Sequence, residues 1–190
     1  MPITRLLQAA LAVGVTMVLA WAAVSDVRTR RIPNTSVLTL LALFVAWALA
    51  GAGGPLVSEL EAGGIAFAVT FALFNFGIVG AGDSKLFTAA ALFVGLDYLP
   101  YLAIATALAG GVIALISLAT RPTRAVVMFT LRGKGDFGPG VPYGVAIAAG
   151  AVFAIWALWG SFLPPYTYSA KAPPTAHGIA WVLAQHGGQH

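Results

Sequence analysis

The stretch LLQAALAVGVTMVLAWAAVSDVRTRRIPN, residues 6–34, decides what kind of protein this is. From Leu6 to Val24 no charged residue interrupts the chain; Asp26 then arrives, followed at once by Arg28, Arg30 and Arg31 and by Pro33. An apolar run of about 20 residues is long enough to cross the hydrocarbon of a bilayer as a helix, and a cluster of arginines is what a membrane span is anchored by. A cleaved signal peptide is the competing reading of this stretch, but the apolar run is long for one and basic residues follow it closely, so we read it as a retained first helix.

The rest of the chain agrees. Of its 190 residues 59% are hydrophobic and only 8% charged, with a mean hydropathy of +0.90. A soluble domain carries roughly a quarter charged residues, so this composition cannot cover a water-facing surface. In lipid the backbone must satisfy itself, so the expected class is all-α: a polytopic integral membrane protein of about six transmembrane helices. No alternating pattern argues for a barrel. The apolar segments fall at about 4–25, 36–52, 62–79, 84–99, 101–120 and 142–163. The fourth is short, and a re-entrant path is its alternative. Residues 1–163 form the expected membrane domain. The Pro-rich tail 164–190 is expected on the outer side, with a short interfacial helix around Trp181.

Charge fixes a direction. Eight of the ten basic residues follow segments one, three and five; Arg5 and Lys171 are the exceptions. Cytoplasmic loops collect Lys and Arg, so the N-terminus is expected outside and these three loops inside. Glu59, Glu61 and Asp97 then fall outside. The net charge of +4 is a matter of topology and lipid phosphate, not of nucleic acid. With no cysteine, thiol catalysis and thiolate metal sites are excluded, and the three histidines lie in the tail, so no metal and no cofactor is expected.

On this topology two carboxylates share one face. Asp26 leaves segment one, and Asp83, within GAGDSKL (80–86), opens segment four. Two adjacent carboxyl groups cannot both ionise cheaply, so one keeps a proton while the other stays charged. A water held between them can then attack a peptide carbonyl, with one aspartate as base and the other as acid. Gly80 and Gly82 are expected to let the backbone turn and a peptide approach, and Asn34 or Thr35 to cap helix two. Each feature has a plainer reading: Asp83 as a helix N-cap, Asp26 as a flank neutralised by its arginines, Lys85 as a topology anchor. The conjunction of the two favours chemistry.

The motifs DVRTRRIPN and GAGDSKL, with GVPYGVAIAAG at 140–150, resemble those of the type IV prepilin peptidases, aspartic endopeptidases of the bacterial inner membrane. The resemblance implies Asp26 and Asp83 as the catalytic pair, with Gly80, Gly82, Lys85 and Asn34 around the substrate. It implies prepilin or pseudopilin precursors as partners, cut at the cytoplasmic edge of a multi-pass protein bathed in membrane lipids. Lacking the Cys-x-x-Cys loop of the long members, the chain looks like the short CpaA-like form of Flp/Tad-type pili, without the methyltransferase activity. The rival classes are a small transporter or channel component, whose carboxylates would mark an ion path, and an inactive pilus-assembly scaffold.

Overall fold

The structure is a computed structural model and describes residues 3–120 and 143–159. Among the described residues there are six α-helices: α1 (Ile3–Thr29), α2 (Asn34–Leu49), α3 (Leu56–Asn75), α4 (Ala81–Val94), α5 (Leu99–Thr120) and α6 (Tyr143–Trp159). A single 3-10 turn, Leu96–Tyr98, links α4 to α5. The all-α membrane class is what the sequence predicts. Three helical stretches are long and apolar enough to cross a membrane, Leu6–Thr29, Leu56–Asn75 and Leu96–Ser117, while Asn34–Leu49 and Tyr143–Ala157 are shorter apolar helices.

The bundle is built around α4 and α6. Helix α4 packs against α2, α3 and α6, and α6 packs against α1, α4 and α5. Eight of the 14 residues of α4 are buried, Ser84, Leu86 and the run from Ala89 to Val94. At about 1.5 Å per residue α4 is some 21 Å long, short of a hydrocarbon core of about 30 Å. Its surroundings are protein rather than lipid, which is why its apolar stretch is too brief to read as a span.

Small residues set the spacing. On α1, Ala12, Val15, Leu19 and Ala22 repeat at three- and four-residue intervals and are each at most 1% exposed, one stripe facing the bundle. Gly150 of α6 lies so close to Thr106 of α5 that an added Cβ would meet the Thr106 backbone at 2.7 Å. Close approach through small residues is how helices associate where lipid removes the hydrophobic drive. Trp156 of α6 donates its indole N–H to Thr16 Oγ1 of α1 at 3.0 Å. The outward faces are apolar, with Leu38, Val45, Ile104, Leu108, Leu115 and Phe153 all more than half exposed, as a lipid-facing surface requires.

Helix boundaries depart from the sequence reading in one informative place. The third helix begins at Leu56, well before 62, with Pro55 as its N-cap residue. Glu59 and Glu61 lie inside it, because acidic residues suit the first turns of a helix. The 164–190 tail and residues 140–142 of the third motif lie outside the described residues.

Candidate active site

Asp26 sits in the last turn of α1, at a helix end held by several local bonds. Arg30 adopts a left-handed conformation (φ 55°) and donates its N–H to the Asp26 carbonyl at 2.9 Å, ending the helix. Ser25 Oγ and Thr29 Oγ1 both donate to the Arg31 carbonyl, at 3.1 and 3.3 Å, so the turn into α2 is held from inside α1. The Asp26 side chain is only 7% exposed. Its Oδ2 accepts the backbone N–H of Gly144, the second residue of α6, at 2.8 Å. A backbone N–H can only donate, so Oδ2 faces it as an acceptor. A Cβ on Gly144 would meet Oδ2 at 2.8 Å and Asp26 Cβ at 3.0 Å, so this contact needs glycine.

Asp83 approaches from α4. The N-cap residue of that helix is Gly80, with extended backbone, so Asp83 occupies the third helical position rather than the cap itself. Its carboxylate reaches back to the Gly80 N–H, half of a capping box. Asp83 is half-buried and precedes the apolar stretch of α4. Burial pushes its carboxyl up to about 6, the charge of Asp26 pushes in the same direction, and the Gly80 hydrogen bond opposes both. Asp83 therefore senses Asp26 although the two lie on different helices far apart in sequence.

The remaining expected residues gather at the same end of the bundle. Lys85 Nζ donates to Asn34 Oδ1 at 3.3 Å, tying the start of α4 to the start of α2. Gly82 is packed on Ile32, whose Cβ would stand 3.2 Å from an added Cβ. Two expectations are corrected. Neither Gly80 nor Gly82 has positive φ; the left-handed backbone before α4 is at Gly77 (φ 68°), while Gly82 packs on Ile32 and Gly80 on Asp83. Nor does Asn34 or Thr35 cap α2. Pro33 is the N-cap residue with no side-chain cap bond, Asn34 being already helical and turned to Lys85. Ser36 Oγ donates to the Pro33 carbonyl at 2.7 Å.

Sequence reasoning overlooked two supporting residues. Gly144 belongs to the third quoted motif, but nothing in that motif tells that its amide would meet Asp26. Ser84 Oγ donates to the Thr70 carbonyl at 3.1 Å in a buried contact, fixing α4 on α3 immediately beside Asp83.

An all-helical bundle with apolar outward faces, with Asp26 and Asp83 at two of its helix ends, defines the class: a membrane-embedded helical protein. A sequence model of the type IV leader peptidase family matches residues 13–115, more than half of the chain and both aspartates. The chain belongs to that family, and with it to the peptidases. Comparison with curated proteins and with solved structures gave no match.

Proposed function

We propose that this protein is an aspartic endopeptidase that removes the leader of prepilin-like precursors, of the Flp/Tad type, at the cytoplasmic edge of the bacterial inner membrane. The observation that carries the reading is the meeting of Asp26, at the end of α1, with Asp83, at the start of α4. The environments divide the roles. Asp83 holds its proton up to about pH 6 and is the acid. Asp26, its Oδ2 accepting from Gly144, is the base.

The cycle needs only these groups and a water. Asp26 takes a proton from the water as its oxygen bonds to the scissile carbonyl carbon, and Asp83 gives its proton to the carbonyl oxygen. The tetrahedral diol collapses as the amide nitrogen leaves with the proton gained by Asp26, while Asp83 recovers a proton from a diol hydroxyl. No covalent enzyme intermediate forms. Lys85 and Asn34 border the pair, where they can hold the peptide backbone, and the packed glycines keep bulk away from it. Methylation of the new N-terminus is not part of the proposal. Co-expression with candidate prepilins tests the reading: a shortened pilin on a gel, dependent on this chain, is expected, and unprocessed precursor for every candidate pilin would contradict it.

A further inference from the structure

At the opposite end of the bundle, about ten residues along α4 from Asp83 and so some 15 Å away, lies a second group of polar side chains that the proposed reaction does not use. A cavity of about 180 Å³ opens there, lined among others by Trp47, Ser58, Glu59, Phe93, Asp97 and Tyr98. Glu59 is 2% exposed; the Trp47 indole N–H and the Gly54 amide approach its carboxylate, yet neither Glu59 Oε1 nor Trp47 Nε1 completes a hydrogen bond of good geometry. Both atoms lie under Gly53. A Cβ there would collide with Glu59 Oε1 and stand 2.5 Å from Trp47 Nε1. The Trp47 ring also packs edge-on against Phe93, with centroids 5.8 Å apart.

The chemistry of these groups specifies a ligand. A buried carboxylate oxygen without a partner is costly and calls for a donor, best a charged one. Among the described residues no basic side chain lines the cavity, whereas a second carboxylate, the exposed Asp97, does. Arg28, Arg30, Arg31 and Lys85 stand at the other end, beside the aspartate pair. The aromatic faces of Trp47 and Tyr98 favour a cation as well. Trp47 Nε1–H, by contrast, calls for an acceptor. Ser58 Oγ accepts the Leu96 N–H at 3.0 Å and keeps its own hydrogen to give. One carboxylate for a cation and two donors for an oxygen stand within one small cavity.

We infer that this cavity is a binding site for a primary ammonium group carried next to an acceptor oxygen, the chemistry of phosphoethanolamine. The ammonium donates to Glu59 Oε1, and a phosphate oxygen accepts from Trp47 and Ser58. The cavity sits where the C-terminal ends of α2 and α4 meet the N-terminal end of α3, and at such an end of an apolar bundle the ammonium can come from phosphatidylethanolamine or from a soluble amine. A choline headgroup has no N–H to give, and a glycerol headgroup has no cation, so neither satisfies Glu59.

The full chain in detergent, examined by native mass spectrometry with phosphatidylethanolamine, phosphatidylcholine and phosphatidylglycerol of identical acyl chains, tests this. Loss of a charged hydrogen bond predicts that the ethanolamine lipid is retained about tenfold more than the other two. Glu59→Gln, which keeps the shape and removes the charge, should bring it down to their level. Gly53→Ala should do the same by displacing the carboxylate while leaving it in the chain. Soluble phosphoethanolamine that displaces the lipid supports a headgroup site open to free amines. Failure to displace, with the lipid preference intact, supports the lipid as the source. Equal retention of all three lipids by the wild-type chain, a result that needs no variant to fold, overturns the inference. So does an unchanged preference in Glu59→Gln.

Discussion

Asp26 and Asp83 are the same side chain in two environments. Asp26 is buried at a helix C-terminus and held by the Gly144 amide; Asp83 is half-buried at a helix N-terminus and held by the Gly80 amide. The raised carboxyl of Asp83 predicts the pH dependence. The proton that the acid must donate is present below about 6 and lost above it, so kcat/KM should fall on the alkaline side with a limb near 6. A profile flat from pH 5 to 8 would contradict this assignment of roles. The same shift fixes a sign for stability. Because the folded chain holds this proton more tightly than the ordinary value of 3.8 allows, ionisation between about 4 and 6 costs stability and adds none at higher pH. Asp83→Asn should therefore melt no lower than the wild type at pH 7, measured by thermal unfolding in detergent. For Gly144→Ala, the added Cβ competes with Asp26 for the same space. Loss of the amide contact predicts about a tenfold or greater loss of cleavage, with the protein still inserted in the membrane.

At the scale of elements, the site depends on where helices begin and end. Gly95 closes α4 with φ 70° and ψ 175°, a region open essentially to glycine, and Ser58 Oγ would stand 3.3 Å from any Cβ there. Gly95→Ala should cost about 1–3 kcal/mol of stability, read as a lower melting temperature, because α4 must then end differently. Helix ends were also where the sequence was hardest to read. The apolar runs reveal the six helices of the described residues, since an apolar composition is a physical demand of the bilayer. Pro33 was visible as a break, but which neighbour would cap was not. A proline's fixed φ already starts α2 and α3 with no side-chain cap bond. Glu59 looked like part of an outer loop because a lone acidic residue near an apolar run carries no sign of its burial. Only the packing of α2, α3 and α4 encloses it. The aspartates were legible because charge is so rare in this chain that each carboxylate needs a reason. Gly144 was not, because a backbone amide leaves no trace in side-chain chemistry.

Considered whole, the molecule is a lipid-facing bundle whose polar groups collect at its two ends. The aspartate pair lies at one end with Lys85 and Asn34, and Glu59 and its cavity lie at the other. The chain offers no cysteine, and among the described residues no cluster of His, Asp or Glu could hold a metal ion. Activity is expected to survive exhaustive chelation with EDTA; loss of cleavage restored by zinc would contradict the two-carboxylate account. The account's central claim is that Asp26 and Asp83 act as one site, neither able to perform both roles. The most direct test is leader removal from a co-expressed prepilin by Asp26→Asn and Asp83→Asn, each checked for insertion and melting temperature. Removal of a general acid or base predicts a loss of about 10²–10⁴-fold for either variant, with the folded protein still in the membrane. Cleavage at near wild-type rate by either variant would contradict the account and leave that aspartate a structural residue of its helix end.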